Sequence, residues 1–163
     1  MTFQFISDFS LAAILLAAMV IDYRFMIIPD KLNVTGAAIA LIVSLSHGIL
    51  GILWSIAGGL TGAALMAGLF WFGILLFRRH GLGLGDVKLA AVIGLFVGPL
   101  MCFTASVIAV FLGGLWGMYL LVTKRKKIGQ EVPFGPFLSL GGFFVLFFKQ
   151  ELLYLIERYL ELI

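Results

Sequence analysis

Residues 81–88 read GLGLGDVK, and this stretch places the carboxylate of Asp86 at the start of an apolar segment. Gly83 and Gly85 stand at alternate positions just before it. Ionisable side chains at bilayer depth are rare and costly, so a carboxylate at the edge of an apolar span indicates a functional site. Whether Asp86 lies at such a depth depends on the composition of the chain around it.

The composition is that of an integral membrane protein. The 163 residues are 63% hydrophobic and only 12% charged, with a mean hydropathy of +1.18. Such a chain has too little polar surface to cover a soluble globule, so the lipid bilayer must solvate it. Cys102 is the single cysteine and lies in an apolar segment, which excludes an internal disulfide and a cysteine-based zinc site.

Apolar segments separated by turn residues predict about six transmembrane helices in a single all-α polytopic domain covering residues 1–163. A helix needs about 20 apolar residues to cross the hydrocarbon, and fewer where neighbouring protein shields its ends. The fourth segment is short, and Gly98 and Pro99 separate it from the fifth. The predicted spans are 9–21, with an earlier start expected, 33–50, 53–77, 86–97, 100–122 and 136–148.

The C-terminal stretch, residues 149–163, has a different pattern. Leucine, isoleucine and tyrosine recur there at helical spacing, and charged residues such as Glu151 and Glu157 stand between them. This pattern is typical of an amphipathic helix that lies in the membrane interface. We therefore predict a C-terminal interfacial helix that does not span the bilayer.

Basic side chains follow the first, third and fifth predicted spans, whereas the loops after the second and fourth carry no lysine or arginine. Cytoplasmic loops are enriched in these residues, which predicts an N-terminus outside the cytoplasmic membrane and a cytoplasmic position for Asp22, Asp30 and Asp86. The basic run 124–127 lacks interleaved aromatic residues, so we interpret it as a topology and anionic-lipid determinant and expect no nucleic-acid partner. The basic residues of these loops are Arg24, Lys31, Arg78, Arg79, Lys124, Arg125, Lys126 and Lys127.

Two carboxylates at the ends of two spans, Asp22 and Asp86, form a candidate catalytic pair. Carboxylates within a few ångströms of each other do not easily both ionise, so one holds a proton while the other stays charged. The ionised member can take a proton from water, and the protonated member can hydrogen-bond the scissile carbonyl. This is the working state of an aspartic protease, which needs no metal or other cofactor.

The neighbours of the pair suggest how a substrate reaches it. Gly83 and Gly85 lack a Cβ atom, which lets an extended peptide approach Asp86 closely. A substrate helix must be unwound before cleavage, because its backbone carbonyls are already hydrogen-bonded. Lys88 is predicted either to orient the pair, to contact the substrate or to extend to the interface. Asp30 is interpreted either as a cap of the second helix or as an acid that shapes the site.

The motifs taken together resemble the type IV prepilin peptidases, which are GxGD-type intramembrane aspartic proteases. The resemblance rests on GLGD at 83–86, on IPD at 28–30 and on PFGPFL at 133–138, and it covers residues 21 to about 142. It implies that Asp22 and Asp86 are the catalytic pair. It also implies that a short basic leader is cut from prepilins or pseudopilins at the cytoplasmic face, just after a glycine and before the hydrophobic helix.

The resemblance departs from many members of that family at one point. Those members carry an amino-terminal extension with paired Cys-x-x-Cys motifs and also N-methylate the trimmed pilin. This chain starts at the first predicted span and has one cysteine. We therefore expect a short form that cleaves without methylating.

The PFGPFL segment has two interpretations. Pro133, Gly135 and Pro136 can shape a re-entrant turn that closes one wall of the cleft, with Phe134 and Phe137 contacting the substrate helix. The same residues are equally typical of a proline at a helix start and of aromatic side chains at the membrane interface. The sequence does not choose between them, and we assign these residues no catalytic role.

Two other function classes also use acidic residues in a membrane protein. A small carboxylate-dependent transporter or proton pathway would place broken helices in two related halves. No internal repeat is present, and both aspartates cluster on one side. A noncatalytic subunit of a pilus or secretion assembly would keep substrate processing intact when either aspartate is replaced. The sequence does not indicate an oligomeric state.

Overall fold

The structure, a computed structural model, describes residues 2–77, 83–125, 132–152, 154 and 158. Within these residues the chain is all-helical and contains no strand, which confirms the predicted all-α class. The helices are α1 (Thr2–Phe25), α2 (Asp30–Leu45), α3 (Gly48–Phe77), α4 (Leu84–Val97), α5 (Pro99–Val122) and α6 (Gly135–Phe147).

Proline and glycine set most of the helix ends. Pro29 precedes α2, and Pro99 and Pro136 lie in the first turns of α5 and α6, where a missing backbone N–H is tolerated. Gly98 alone separates α4 from α5. Its φ of +81° lies in the left-handed region, and a Cβ atom there would collide with the Trp54 indole, so the break requires glycine.

The predicted boundary between the second and third helices was wrong. The structure ends α2 at Leu45 and begins α3 at Gly48, so residues 48–50 belong to α3. Ser46 and His47 form a short turn in which their N–H groups donate to carbonyls of the last turn of α2. Gly48 then reverses the chain with a φ of +70°. The turn therefore falls at residues 46–48 and not at residues 51–52, where the prediction placed it.

Among the described residues, three helices are long and apolar enough to cross a membrane by length and composition, namely Gln4–Phe25, Gly48–Leu75 and Pro99–Val122. The apolar helix Gly135–Phe147 is shorter. The prediction of about six spans is therefore met by these criteria for three helices and stays a prediction for α2, α4 and α6. Most of the predicted C-terminal amphipathic helix lies outside the described residues, as do Arg78, Arg79, His80, Lys126 and Lys127.

The short helix α4 lies at the centre of the bundle. It packs against α1, α2, α3, α5 and α6, and its side chains at Leu89, Ala90 and Ile93 are fully buried. The outer helices carry large exposed apolar side chains, such as Ile49, Leu75 and others on α3. Exposed apolar groups of this number suit a lipid environment, because lipid and not water then covers them.

Glycines bring α3 and α4 into backbone contact. A Cβ atom on Gly58 would collide with the Gly94 carbonyl oxygen, and one on Gly94 would collide with the Gly58 carbonyl oxygen. Gly62 lies equally close to the Ala90 carbonyl. The Ser55 hydroxyl also donates to the Leu95 carbonyl at 2.6 Å. Small residues at such an interface let two helices approach closely where no hydrophobic effect drives them together.

We predict that Gly58→Ala destabilises the protein by about 1–3 kcal/mol, because its methyl group must displace the backbone of α4. The matched control is Gly68→Ala on the same helix, where a Cβ atom has nothing within 4 Å. That control is expected to be neutral or stabilising, because alanine favours a helix over glycine by about 1 kcal/mol. Thermal unfolding in detergent measures both, and equal effects would contradict the close contact of α3 with α4.

Candidate active site

Asp22 lies in the last turn of α1 and is 5% exposed. Its Oδ2 atom accepts a hydrogen bond from the Gly135 N–H at 2.8 Å. Gly135 is the first residue of α6, and the first N–H groups of a helix have no partner within the helix. They also carry the positive end of the helix dipole, which favours a carboxylate. The start of α6 therefore satisfies a buried acid on α1.

Only glycine fits at position 135 while its N–H binds Asp22. An ideal Cβ atom at position 135 would lie 2.7 Å from the Asp22 Oδ2 atom and 2.9 Å from its Cβ atom. Any side chain there would displace Asp22 or move α6 away from α1. The sequence left the role of Gly135 open, and its amide contact with Asp22 was missed. The only sequence signal was a glycine placed two residues after Pro133 and directly before Pro136.

Asp86 is the third residue of α4 and is 6% exposed. Its Oδ2 atom accepts a hydrogen bond from the N–H of Gly83, the residue that caps α4, at 2.9 Å. The Asp86 N–H donates in return to the Gly83 carbonyl at 3.1 Å. An acid at the third helical position that binds the cap amide forms the side-chain half of a capping box. The GLGD motif thus fixes its own carboxylate locally.

The two glycines of the motif have different surroundings. An ideal Cβ atom on Gly85 would lie 3.2 Å from the Cβ atom of Ile28, so the connection between α1 and α2 packs directly on it. Gly83 is exposed, and of the residues that the structure describes, only Asp86 and Gly85 would lie within 4 Å of a Cβ atom there. Gly85 therefore allows close packing within the chain, whereas Gly83 supplies an amide at an open edge.

Met26 turns the chain from α1 toward that packed connection. Its φ of +53° is left-handed although it is not glycine, and its N–H donates to the Asp22 carbonyl at 2.8 Å. A left-handed residue directly after a helix is a common way to end it, but a side chain makes this conformation costly. Met26 adopts this conformation one turn after Asp22, where the chain reverses and brings buried Ile28 onto Gly85.

The structure brings Asp22, Asp86 and Asp30 together on the wall of one cleft of about 450 Å³. Gly83 and Gly85 line the same cleft. A larger cavity of about 820 Å³ lies at the opposite end of the bundle and is lined by none of these residues. The cleft's described apolar lining includes Phe70 and Val132, which were not singled out in the sequence. The full described apolar lining is Met26, Ile27, Ile28, Phe70, Leu84, Val132, Pro133 and Phe134.

Asp30 and Lys88 form a hydrogen-bonded ion pair between the starts of α2 and α4. The interpretation of Asp30 as a helix cap was wrong, because Pro29 occupies the cap position and no side chain caps α2. Asp30 is the first helical residue instead, and its carboxylate reaches across to α4. Both side chains are exposed, 69% for Asp30 and 51% for Lys88. Lys88 is not among the described residues that line the cleft.

The arrangement can perform acid and base chemistry within one cleft. Two buried carboxylates share a cleft, and each has one oxygen held by a backbone amide. Such a pair can divide a proton, so that one member acts as a base while the other donates. Among the described residues, no group of three or more His, Cys, Asp or Glu side chains is arranged to hold a metal ion.

Comparison with known proteins gives one family. The model of the type IV leader peptidase family matches residues 9–118, which include Asp22 and Asp86 but not Gly135. The chain is similar to a prepilin leader peptidase/N-methyltransferase of Pseudomonas putida, with 30% identity over 142 residues, 85% of this chain and 48% of the relative. No solved structure matches the chain.

Two further relatives carry the same description. A prepilin leader peptidase/N-methyltransferase of Burkholderia pseudomallei is 31% identical over 143 residues, 88% of this chain and 46% of the relative. The one from Escherichia coli strain K12 is 28% identical over 127 residues, 76% of this chain and 54% of the relative. The chain therefore spans about half the length of the curated relatives it matches.

The packing of Ile28 on Gly85 predicts a disulfide when both are replaced by cysteine in a Cys102→Ala background. Their Cβ atoms would lie 3.2 Å apart, within a few tenths of an ångström of the roughly 3.5–4.5 Å found in disulfides. After oxidation, the Ile28→Cys, Gly85→Cys protein should resist a maleimide-polymer label under denaturing conditions and accept two labels after reduction. The control pair is Tyr23→Cys with Gly85→Cys, because Tyr23 is 73% exposed. Labelling of both pairs alike would contradict the described cleft wall.

Proposed function

The chain belongs to the type IV leader peptidase family, and from that premise we propose that it is a membrane aspartic endopeptidase that removes leader peptides from prepilin-like or pseudopilin substrates. One observation carries the proposal. Asp22 and Asp86 are both buried, line one cleft and each have an oxygen held by a glycine amide. The relatives are prepilin leader peptidase/N-methyltransferases, and their name supports the substrate class.

The proposed reaction is hydrolysis of one peptide bond by an activated water. The ionised carboxylate takes a proton from the water while the new C–O bond forms at the scissile carbonyl carbon. The protonated carboxylate hydrogen-bonds the carbonyl oxygen as negative charge develops on it. Collapse of the tetrahedral intermediate breaks the C–N bond, and the proton passes to the leaving amine. No covalent bond to the protein forms.

The N–H groups of Gly83 and Gly135 limit how the pair can move. Each binds one oxygen of its carboxylate, so the second oxygen of each is the atom available for the water or the carbonyl. A site with pre-oriented groups spends little free energy on reorganisation during the reaction. The backbone hydrogen bonds thus supply orientation, and the carboxylates supply the proton transfer.

We propose that the cut follows a glycine after a basic leader, at the cytoplasmic face of the inner membrane, with the N-terminus outside. The basic residues Arg24 and Lys31 flank the connection from α1 to α2 that forms one cleft wall, which supports this orientation. Arg125, after α5, shares a groove with Phe137 near the start of α6, at the same end of the bundle.

We also propose that all six described helices lie within the membrane as one polytopic domain. The 14 residues of α4 extend only about 21 Å, less than the roughly 30 Å hydrocarbon core. A length shorter than the hydrocarbon core is compatible with the central position of α4, because other helices shield it from lipid. A short helix whose ends meet protein or a water-filled cleft does not need to reach the headgroups.

Trimming without N-methylation is a further part of the proposal. The chain's single cysteine cannot supply the paired Cys-x-x-Cys motifs that the family resemblance associates with N-methylation. Mass spectrometry of the processed substrate distinguishes the two cases, because a methylated amino terminus is heavier by one methylene group.

We predict that Asp22→Asn and Asp86→Asn each lower the rate of leader removal by at least about 100-fold, because amides cannot exchange the shared proton. Co-expression with a prepilin and gel detection of leader loss measures the effect. The matched control is Asp8→Asn, on α1 outside the cleft, which should process normally. Membrane levels of all three variants are compared by immunoblot. Processing that survives in either cleft variant would refute the aspartic mechanism.

The shared proton predicts a bell-shaped dependence of the cleavage rate on pH. At low pH both carboxylates are protonated and no base remains, whereas at high pH both are ionised and no acid remains. Cleavage by the purified chain should therefore fall on both sides of an optimum and recover when the pH is returned. A rate that rises steadily into the alkaline range would instead indicate that a single ionised group suffices.

A further inference from the structure

The proposed chemistry does not use the ion pair between Asp30 and Lys88, although Asp30 lines the same cleft as Asp22 and Asp86. The three carboxylates differ in environment. Asp22 and Asp86 are 5% and 6% exposed and bind backbone amides, whereas Asp30 is 69% exposed and binds a side-chain ammonium. Asp30 therefore lies at the solvent edge of the cleft.

The cleft carries unbalanced charges on its described lining, although Arg24 and Lys31 flank one of its walls. Its described lining residues include three carboxylates but no lysine, arginine or histidine. The Lys88 ammonium balances Asp30 from outside that lining. A peptide that enters the cleft therefore meets acidic groups, and a cationic side chain on it would complement the most exposed one. Complementary charges of this kind decide which partner binds.

We propose that Asp30 binds a lysine or arginine side chain of the substrate peptide, and that Lys88 occupies this cation subsite until the substrate displaces it. The inference rests on the proposed function, because it requires a peptide in the cleft. Asp30 is then a specificity-determining residue, and Lys88 competes with the basic side chain of the substrate for it. The same pair bridges the starts of α2 and α4.

The chemistry of Lys88 suits displacement. An exposed ion pair contributes little to stability because water screens it and because two mobile side chains must be held in one geometry. A lysine carries its charge on a flexible stem, so the ammonium can leave Asp30 and stay hydrated. An arginine would bind the carboxylate through two parallel hydrogen bonds and compete more strongly. The identity of residue 88 therefore sets how easily the subsite opens.

The experiment uses the full chain in detergent and two versions of one prepilin substrate, with the basic residues before the cleavage site either kept or changed to glutamine. We expect Asp30→Asn to raise the KM for the basic version by about 2- to 5-fold more than for the glutamine version, the scale of one exposed charge pair. Lys88→Gln should lower the KM for the basic version, because the competitor is gone. Lys88→Arg should raise it.

Two controls separate charge recognition from other effects. Lys31→Gln removes a cation next to Asp30 without touching the ion pair, and Glu151→Gln removes an acid at the other end of the bundle. Neither should change the ratio of the two KM values. Asp30→Lys should reverse the preference and favour a substrate with glutamates at the same positions.

Equal shifts of both KM values in Asp30→Asn, or a Lys88→Gln variant that binds the basic substrate more weakly, would overturn the subsite and leave a purely structural ion pair. Those outcomes retain the proposed function, because the wild-type chain still cleaves. Absence of cleavage by the wild-type chain, with both substrates, would instead remove the proposed function and this inference with it.

Discussion

A glycine amide at the start of a helix holds each buried carboxylate, and the cleft depends on these two hydrogen bonds. The Gly83 N–H precedes α4 and binds Asp86, while the Gly135 N–H begins α6 and binds Asp22. A carboxylate removed from water without such a partner is strongly destabilising. The first amides of a helix lack partners as well, so each hydrogen bond satisfies an acid and a helix end together. Asp22 and Asp86 are therefore stabilised in the same way.

The two hydrogen bonds make different demands on the fold. Asp86 and Gly83 are three residues apart, so the local turn at the start of α4 suffices. Asp22 and Gly135 are far apart in the chain, so α1 must pack at a fixed distance from α6. Gly142 sets that distance, because a Cβ atom there would lie 2.9 Å from the Leu15 side chain. This contact lies about two helical turns from the Asp22 contact on both helices, and therefore on the same faces.

The sequence was sufficient for the helical class, and GLGD followed by an apolar run placed Asp86 at the start of the fourth predicted helix. That helix begins two residues earlier, at Leu84, and the hydrogen bond from the Gly83 N–H to Asp86 was not predicted, although both residues lie in one short motif. Long-range features were less predictable. The Gly135 amide, the packing of Ile28 on Gly85 and the ion pair of Asp30 with Lys88 all depend on how helices pack, which no short motif encodes. The α2–α3 boundary was misplaced because a turn of only two residues lies within a long apolar stretch.

The three aspartates of the cleft differ in how freely they can move, and this difference matches the separate roles in chemistry and recognition that we propose for them. Backbone amides hold Asp22 and Asp86, and a backbone amide moves only when its helix moves. Asp30 is held by a lysine side chain, which can rotate away without any change in the fold. Proton transfer requires fixed geometry, because a displacement of about 1 Å lowers reaction rates severely. Recognition of varied peptides instead benefits from a side-chain partner, such as Lys88, that can be displaced. The fold places Asp22 and Asp86, with their fixed side chains, in the interior and Asp30, with its exchangeable partner, at the edge. Aspartate thus suits both the proposed proton transfer and the proposed recognition.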